Sequence, residues 1–341
     1  MRKRRVLLLM HEELVPPDDV SGLDKQQLHQ IAQERDVLRT LGKLGHEVLP
    51  LGLSDELAPI RQAIHHSKPH VAFNLLTHFH GIGTYDSHVV SYLELLRCPY
   101  TGCNPRGLMF ANDKVVAKKL LTWHRIPTPR FAAIAMGRKG IKPPRLEFPL
   151  FVKSAAEHSS IGISQASIVH DEKALAERVE FIHHTAVTDA IVEEYVEGRE
   201  LTVSVVGNQR ISVFPVWELL FKSLPRGTEP IATSKVKWDL AYQKKLGVEN
   251  VPARKLPDGL EQTIVRTARR VYRALGMTGY ARIDFRLTED GRLYVLEANP
   301  NPDLTSDEDL SKSAARAGIE YPKLLQRIIS LGLRYAEAWQ E

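Results

Sequence analysis

The sequence predicts an α/β protein, α+β in part: an open α/β unit followed by a strand-rich region. Three observations carry this. Over the first hundred residues, short apolar runs alternate with segments of helical spacing. From about Phe148 onward, strand patterns follow one another with few helices between them. Near the C-terminal end, Tyr280 to Pro302 reads as a hairpin. The 341 residues are 43% hydrophobic and 26% charged. These are globular values, which exclude disordered, collagen-like and coiled-coil chains and allow two or three domains.

The elements follow in order. Arg4 to Met10 reads as a strand whose apolar run, Val6 to Met10, is of the kind that a parallel strand buried on both faces requires. The spacing of Leu28, Ile31, Leu38 and Leu41 predicts a helix over Lys25 to Lys43, closed by Gly42 and Gly45. His46 to Leu51 and Val71 to Leu75 are further strands. Strand–helix–strand alternation makes the first part, to about residue 105, an open α/β unit. A helix over Asp113 to Trp123 leads to Ile126-Pro127-Thr128-Pro129, where two prolines forbid helix. Arg138 to Glu147 is a loop. Strands follow at Pro149–Ser154, Ala166–Val169, Ala190–Glu194, Leu201–Val206 and Ile211–Val216, then a helix at Asp258–Leu275. No 20–50-residue repeat is present.

Charge and cysteine content narrow the function classes. The net charge of +5 is compatible with anionic ligands such as nucleotides. It is too small, even with Arg2 to Arg5, to argue for nucleic-acid binding. Two cysteines, Cys98 and Cys103, cannot build a disulfide framework or a four-cysteine zinc site, and suit a reducing cytosol. The run Val6 to Met10 is too short for a signal-peptide core or a membrane span, so a cytoplasmic protein without membrane partners is expected. His65-His66 and His183-His184 read as surface pairs. His78, His80 and His88 lack the cysteine or second cluster that a zinc site needs.

The hairpin is the most informative stretch. If Asp290-Gly291 is a two-residue loop, Asp284 faces Glu297 and Arg282 faces Asn299, all on one side of the pair. Two carboxylates opposed at about 5 Å repel each other. One reading places a cation between them, since Asp, Glu and Asn oxygens are hard ligands suited to magnesium. The other is a solvated charged strand pair that needs no metal. Two further stretches are ambiguous in the same way. Phe148 to Lys153 is an apolar strand ending in a lysine, followed by Ser154 to Gly162, a small, hydroxyl-rich loop whose backbone N–H groups can bind phosphate. A surface lysine beside a turn fits equally. Ile191 to Glu200 is a strand running into an acidic turn, either an adenosine-reading edge or an ordinary charged hairpin.

Taken together, the order of these segments resembles the ATP-grasp superfamily, and within it the D-alanine–D-alanine ligase-like group. The resemblance covers roughly two-thirds of the chain, from about Phe73 to Thr305. It rests on Pro99-Tyr100-Thr101-Gly102, Asn112-Asp113-Lys114, Ile126 to Pro129, Val152-Lys153 with Ser159 to Gly162, Val192 to Glu200, and Arg282-Ile283-Asp284 with Glu297-Ala298-Asn299-Pro300.

The resemblance implies an ATP-grasp fold with three units: an N-terminal α/β domain over 1–107, a central subdomain over 108–195 and a C-terminal subdomain over 196–341. ATP would lie between the two subdomains. Lys114 and Lys153 correspond to lysines that hold nucleotide phosphates, and Ser159, Ser160 and Gly162 to the loop closing over them. Glu193 would take the adenine amine, Tyr195 and Val196 would line the adenine pocket, and Glu200 would bind the ribose. Asp284, Glu297 and Asn299 match the magnesium ligands, with manganese a possible substitute. Arg282 matches the arginine that steadies the transferring phosphate, and Lys237 a lysine folding over the γ-phosphate. The implied activity is ATP-dependent carboxylate–amine ligation through an acyl phosphate, on small-molecule substrates. The helix near Tyr85 to Arg97 resembles the family's dimerising helix and implies a homodimer.

The substrate positions depart from the pattern. Where the family has Gly-Gly-x-Ser-x-Glu after the first strand, this chain has Met10 to Pro17, with Glu12 or Glu13 the candidate contact. After the metal asparagine it has Asn301-Pro302-Asp303-Leu304-Thr305, with Glu308 where the family has a carboxylate-binding serine. His158 stands where the family usually has glycine. The expectation is therefore a carbon–nitrogen ligase whose substrates are not two D-alanines. The alternatives are a D-alanine–D-alanine ligase proper and a non-catalytic nucleotide-binding relative.

Overall fold

The structure is a computed structural model and describes residues 2–138, 145–156 and 162–335. The first sheet is parallel, with β1 (Arg5–His11) between β2 (Glu47–Leu53) and β3 (Val71–Asn74). Both faces of β1 are covered, which explains its unbroken apolar run. Leu7 and Leu9 face a core shared with the helices Ala58–Ser67 and Asp86–Leu95. Val6, Leu8 and Met10 face Val37 and Leu41 on one helix and Leu324, Leu325, Ile328 and Ile329 on another, Tyr321–Gly332. The end of the chain thus folds back onto its beginning. The single helix expected over Lys25 to Lys43 is two, Lys25–Gln30 and Ala32–Lys43, because Ile31 leaves the helical region at φ −99°, ψ 13°.

The second sheet is antiparallel. Its strands are β4 (Phe131–Ile134), β5 (Leu150–Ser154), β6 (Ile168–Val169) and β7 (Ala190–Glu194), in the order β4-β7-β5-β6. The strand expected over Ala166 to Val169 is cut short by a 3-10 turn at Gln165–Ser167, which Ser164 caps. The helix Glu172–Thr185 seals one face, packing Leu175, Val179 and Ile182 on Val152, Ala190 and Val192. Side chains alternate along a strand, so Lys153 and Glu193 point to the opposite face. Phe151 pairs with Glu193 and Lys153 with Ile191, so Lys153 and Glu193 are diagonal neighbours.

The third sheet carries β8 (Arg199–Val206), β9 (Ser212–Val213), β10 (Trp217–Phe221), β11 (Val248–Pro252), β12 (Tyr280–Leu287) and β13 (Leu293–Pro300). Its order is β11-β10-β8-β12-β13, with β9 on β8. Only Ser212–Val213 of the expected Ile211–Val216 strand pairs. The helix Leu260–Ala274 buries Ile264, Ala268 and Val271 against this sheet.

The β12–β13 turn corrects the sequence reading. Leu287 pairs with Leu293, and Thr288 N–H donates to Arg292 O at 3.0 Å, so the loop is Glu289–Gly291 and not a two-residue Asp290-Gly291 turn. Continued regularly, that register would set Glu297 across from Ile283. A bulge at Leu296 shifts it by one, so Asp284 does face Glu297 and Arg282 does face Asn299. The expected pairing is present, but for a different reason: an extra residue re-aims the strand.

Candidate active site

Lys153, at the end of β5, is buried against two carboxylates. Its Nζ lies 3.2 Å from Glu193 Oε1 and 3.8 Å from Glu297 Oε2. Burial alone would favour the neutral amine. Glu193 and Glu297 more than offset that, and the Lys153 pKa lies above the ordinary lysine value. The opposite oxygen of Glu193 meets a second lysine, Lys118 Nζ, at 3.1 Å.

On the hairpin face, Arg282 grips Asp284 with two hydrogen bonds, Nε to Oδ1 at 2.7 Å and Nη2 to Oδ2 at 2.9 Å. The Asn299 amide donates to Asp284 Oδ2 at 2.9 Å and to Glu297 Oε1 at 3.2 Å. Burial opposes the Glu297 charge, but Lys153, Lys114 and Arg282 hold its carboxyl well below the usual range. One atom of Asn299 thus reaches both carboxylates, so both also surround a point that a small cation could fill. Turning the amide over would present its oxygen there, and amide orientation follows the hydrogen-bond network. The set fits a hard divalent cation with oxygen ligands. Among the described residues, no group of three or more His, Cys, Asp and Glu could hold a metal; this set is two carboxylates and an amide.

The remaining candidates surround this centre. Lys114 begins the helix Lys114–Trp123, capped by Asp113, and its N–H donates to Ala155 O at 2.9 Å. Lys237 lies on the short helix Ser234–Trp238, where burial and then Arg282 lower its pKa against the opposing pull of Glu297 and Asp284. Glu200 is held by the buried Arg286 at 3.0 Å. Tyr195 donates its hydroxyl to Glu229 Oε2 at 3.1 Å, and Val196 beside it is half-buried. Gly162 adopts φ +74°, and its carbonyl accepts from Arg178. Ser159 and Ser160, with His158, lie outside the described residues.

The two substrate candidates separate. Glu12 lines a cavity of about 320 Å³ beyond the C-terminal ends of β1 and β2, with His11, Glu13, Asp55, His78 and His80. The His11 and His78 rings stack at 3.7 Å, and burial followed by His78 lowers the His11 pKa to about 4. On the other side, Asn301 sits at φ +47° and accepts from Cys103 N–H at 2.8 Å. This clamps the Gly102 turn, where a Cβ would lie 2.6 Å from Asn301 Oδ1. The following loop docks on the helix Ala32–Lys43 through Gln33 to Leu304 N–H and Asp36 to Ser306. Asp303, exposed, acts on two half-buried or buried carboxyls, Glu308 and Glu34. Burial first, then Asp303, raises Glu308 to about 7, and burial raises Glu34 to about 7 as well. No ion pair between Glu308 and Lys312 forms among the described residues.

Sequence reasoning missed Lys118, Arg286 and Glu34. Lys118 stands four residues after Lys114, on the same helix face, a spacing that could have pointed to it. Arg286 follows Arg282 and Asp284 at the period-two spacing of one strand face, which could also have pointed to it; Glu34 gave no such signal.

The parallel first sheet, the two antiparallel sheets and the lysine–carboxylate centre between them define an ATP-grasp ligase. The family model described as D-ala D-ala ligase C-terminus matches residues 125–330. The chain is 34% identical to a D-alanine–D-alanine ligase of Syntrophotalea carbinolica, over 91% of this chain and 93% of that protein. It is also 34% identical to that of Desulfotalea psychrophila, over 77% and 78%. The crystal structure of the Bacillus anthracis D-alanine–D-alanine ligase complexed with ATP superposes with a TM-score of 0.73 at 25% identity, covering 97% of this chain and 98% of that one. The chain belongs to the D-alanine–D-alanine ligase family. It is an ATP-using, ADP-forming ligase acting on small molecules, and the non-catalytic alternative is set aside. No helix among the described residues is long and apolar enough to cross a membrane.

Proposed function

We propose that this ligase joins a carboxylate and an amine other than two D-alanines. The donor carboxylate attacks the γ-phosphorus of ATP, ADP leaves, and an acyl phosphate forms. The amine then attacks the acyl carbon, phosphate leaves, and after loss of a proton an amide remains. Positioning and charge neutralisation supply most of such catalysis.

Within this reading, Lys114 and Lys153 hold the phosphates and Lys237 covers the γ-phosphate. Arg282, already fixed by Asp284, faces the transferring group. Glu193 takes the adenine amine, Tyr195 and Val196 line its pocket, and Glu200, oriented by Arg286, takes the ribose. Ser159, Ser160 and Gly162 belong to the covering loop. Asp284, Glu297 and Asn299 would hold magnesium, or manganese in its place, which when bound neutralises phosphate charge. The donor sits in the Glu12 cavity and the acceptor beside Asn301, Asp303 and Glu308. The three-unit division at 107/108 and 195/196, a cytoplasmic location and a homodimer through the helix Asp86–Leu95 complete the proposal. Leu95, 80% exposed at the end of that helix, supports the last point.

The observation that carries the substrate reading is the pair Asp303 and Glu308, with Asp303 exposed beside Asn301. A D-alanine acceptor would bring its own carboxylate to this acidic surface, whereas a neutral or cationic amine suits it. The deciding experiment is mass spectrometry of products formed from ATP, magnesium and a pooled amino-acid and amine library. D-Ala-D-Ala as the main product would overturn the proposal. That second reading is favoured by the names of the relatives.

A further inference from the structure

We propose that Lys118 is a positioning residue that keeps Glu193 charge-compensated and so leaves Lys153 available to the nucleotide phosphates. The inference rests on the reading of Lys153 as a phosphate ligand.

Glu193 is 3% exposed and is paired with two lysines, Lys153 at 3.2 Å and Lys118 at 3.1 Å. A buried carboxylate stripped of its partner is strongly disfavoured. If Lys153 were the sole cation at Glu193, turning it toward a phosphate would leave that carboxylate uncompensated. The second lysine removes this constraint. Lys153 is already shared, since Glu297 lies 3.8 Å from the same ammonium.

Lys118 is suited to staying behind. Its side chain is 2% exposed, and its Nζ also donates to Thr128 Oγ1 at 2.6 Å. Thr128 in turn donates to Val295 O at 2.9 Å, and Val295 N–H donates to Pro127 O at 2.8 Å. Val295 precedes the bulged Leu296, so Lys118 is tied to the strand that carries Glu297 and Asn299. Two direct partners, Glu193 and the Val295-anchored Thr128, fix it in place, while Lys153 stands between two carboxylates.

The test is calorimetric titration of ATP and adenosine into wild type, Lys118→Met, Lys118→Arg, Lys153→Met, Glu193→Gln and the Lys118→Met/Glu193→Gln double variant. Lys118→Met should weaken ATP binding at least about tenfold and leave adenosine within about twofold, because adenosine has no phosphate for Lys153 to meet. Lys118→Arg should retain most of the ATP affinity. In the Glu193→Gln background the Lys118→Met penalty should shrink to under about threefold, since an amide needs no counter-charge. An equal penalty in both backgrounds, or a parallel loss of adenosine binding, would make Lys118 a structural residue and overturn the inference. Unchanged ATP binding in Lys118→Met with weakened binding in Lys153→Met would overturn it while sparing the phosphate reading. Unchanged binding in Lys153→Met would remove both. Should Lys118→Met not fold, Lys118→Gln, which can still donate to Thr128, takes its place in the same cycle.

Discussion

Asp284 faces Glu297 across the β12–β13 ladder, yet the next pair along, Phe285 and Val295, is out of step with it by one residue. The bulge at Leu296 makes the difference. It brings the two carboxylates together at the point where Arg282, Lys153 and Asn299 converge to offset their repulsion.

Removing one of the pair separates the charge chemistry from the fold. Glu297→Ala should lower turnover to below about 1% of wild type, the scale of loss when one charge-stabilising group is removed. Its melting temperature should fall only modestly, because Lys153 and Asn299 lose one partner each but keep Glu193 and Asp284. Steady-state rates and a thermal melt check this, and wild-type activity in the variant would refute the assignment.

Lys153→Ala should weaken ATP binding by about 1.5–3 kcal/mol, the range for a charge-assisted hydrogen bond. Calorimetry reads it directly. An unchanged ATP affinity would place the phosphates elsewhere.

The acceptor surface can be probed with D-alanine itself. A like-charge contact at 4 Å and an effective dielectric near 20 opposes binding by about 4 kcal/mol, or roughly three powers of ten. Above about pH 7, where Glu308 carries its charge, wild type should therefore use D-alanine poorly, and Glu308→Ser should raise kcat/KM for it by about tenfold or more. Phosphate release measured with varied D-alanine decides the matter.

Burial of Glu34 makes stability depend on pH. Its folded pKa, about 7, lies above the ordinary 4.5, so the folded state holds the proton more tightly than the unfolded chain. Its contribution is neutral below about pH 4.5 and becomes unfavourable as pH rises toward and past 7. At about 1.4 kcal/mol per unit, Glu34→Gln should add on the order of 3 kcal/mol at pH 8 and nothing at pH 4. Denaturant melts of both proteins at the two pH values test this; equal gains at both would refute it.

Legibility varied from residue to residue. The continuous apolar run of β1, the Asp113-capped helix and the helix Leu260–Ala274 were readable because each declares its period and its ends locally. The hairpin was readable in its pairing but not in its turn. An Asp-Gly pair suits several loop lengths, and Leu296 carries no mark of being the extra residue. The split at Ile31 was hidden for a similar reason, since the apolar spacing runs straight through it.

The sequence by itself determined which chemical groups are on offer: a strand-end lysine, an Asp–Glu–Asn set that can share one hairpin face, and acidic residues after it. The motifs do so because each needs particular atoms within a few residues of one another. Only the tertiary structure decided which groups share a charge. Lys118 reaches Glu193 from a helix, Arg286 reaches Glu200 across a strand pair, and Asp303 acts on the charge of Glu34 from the other end of the chain. Such relations join residues tens to hundreds of positions apart, and electrostatic interaction depends on distance in space and on burial, neither of which local spacing encodes.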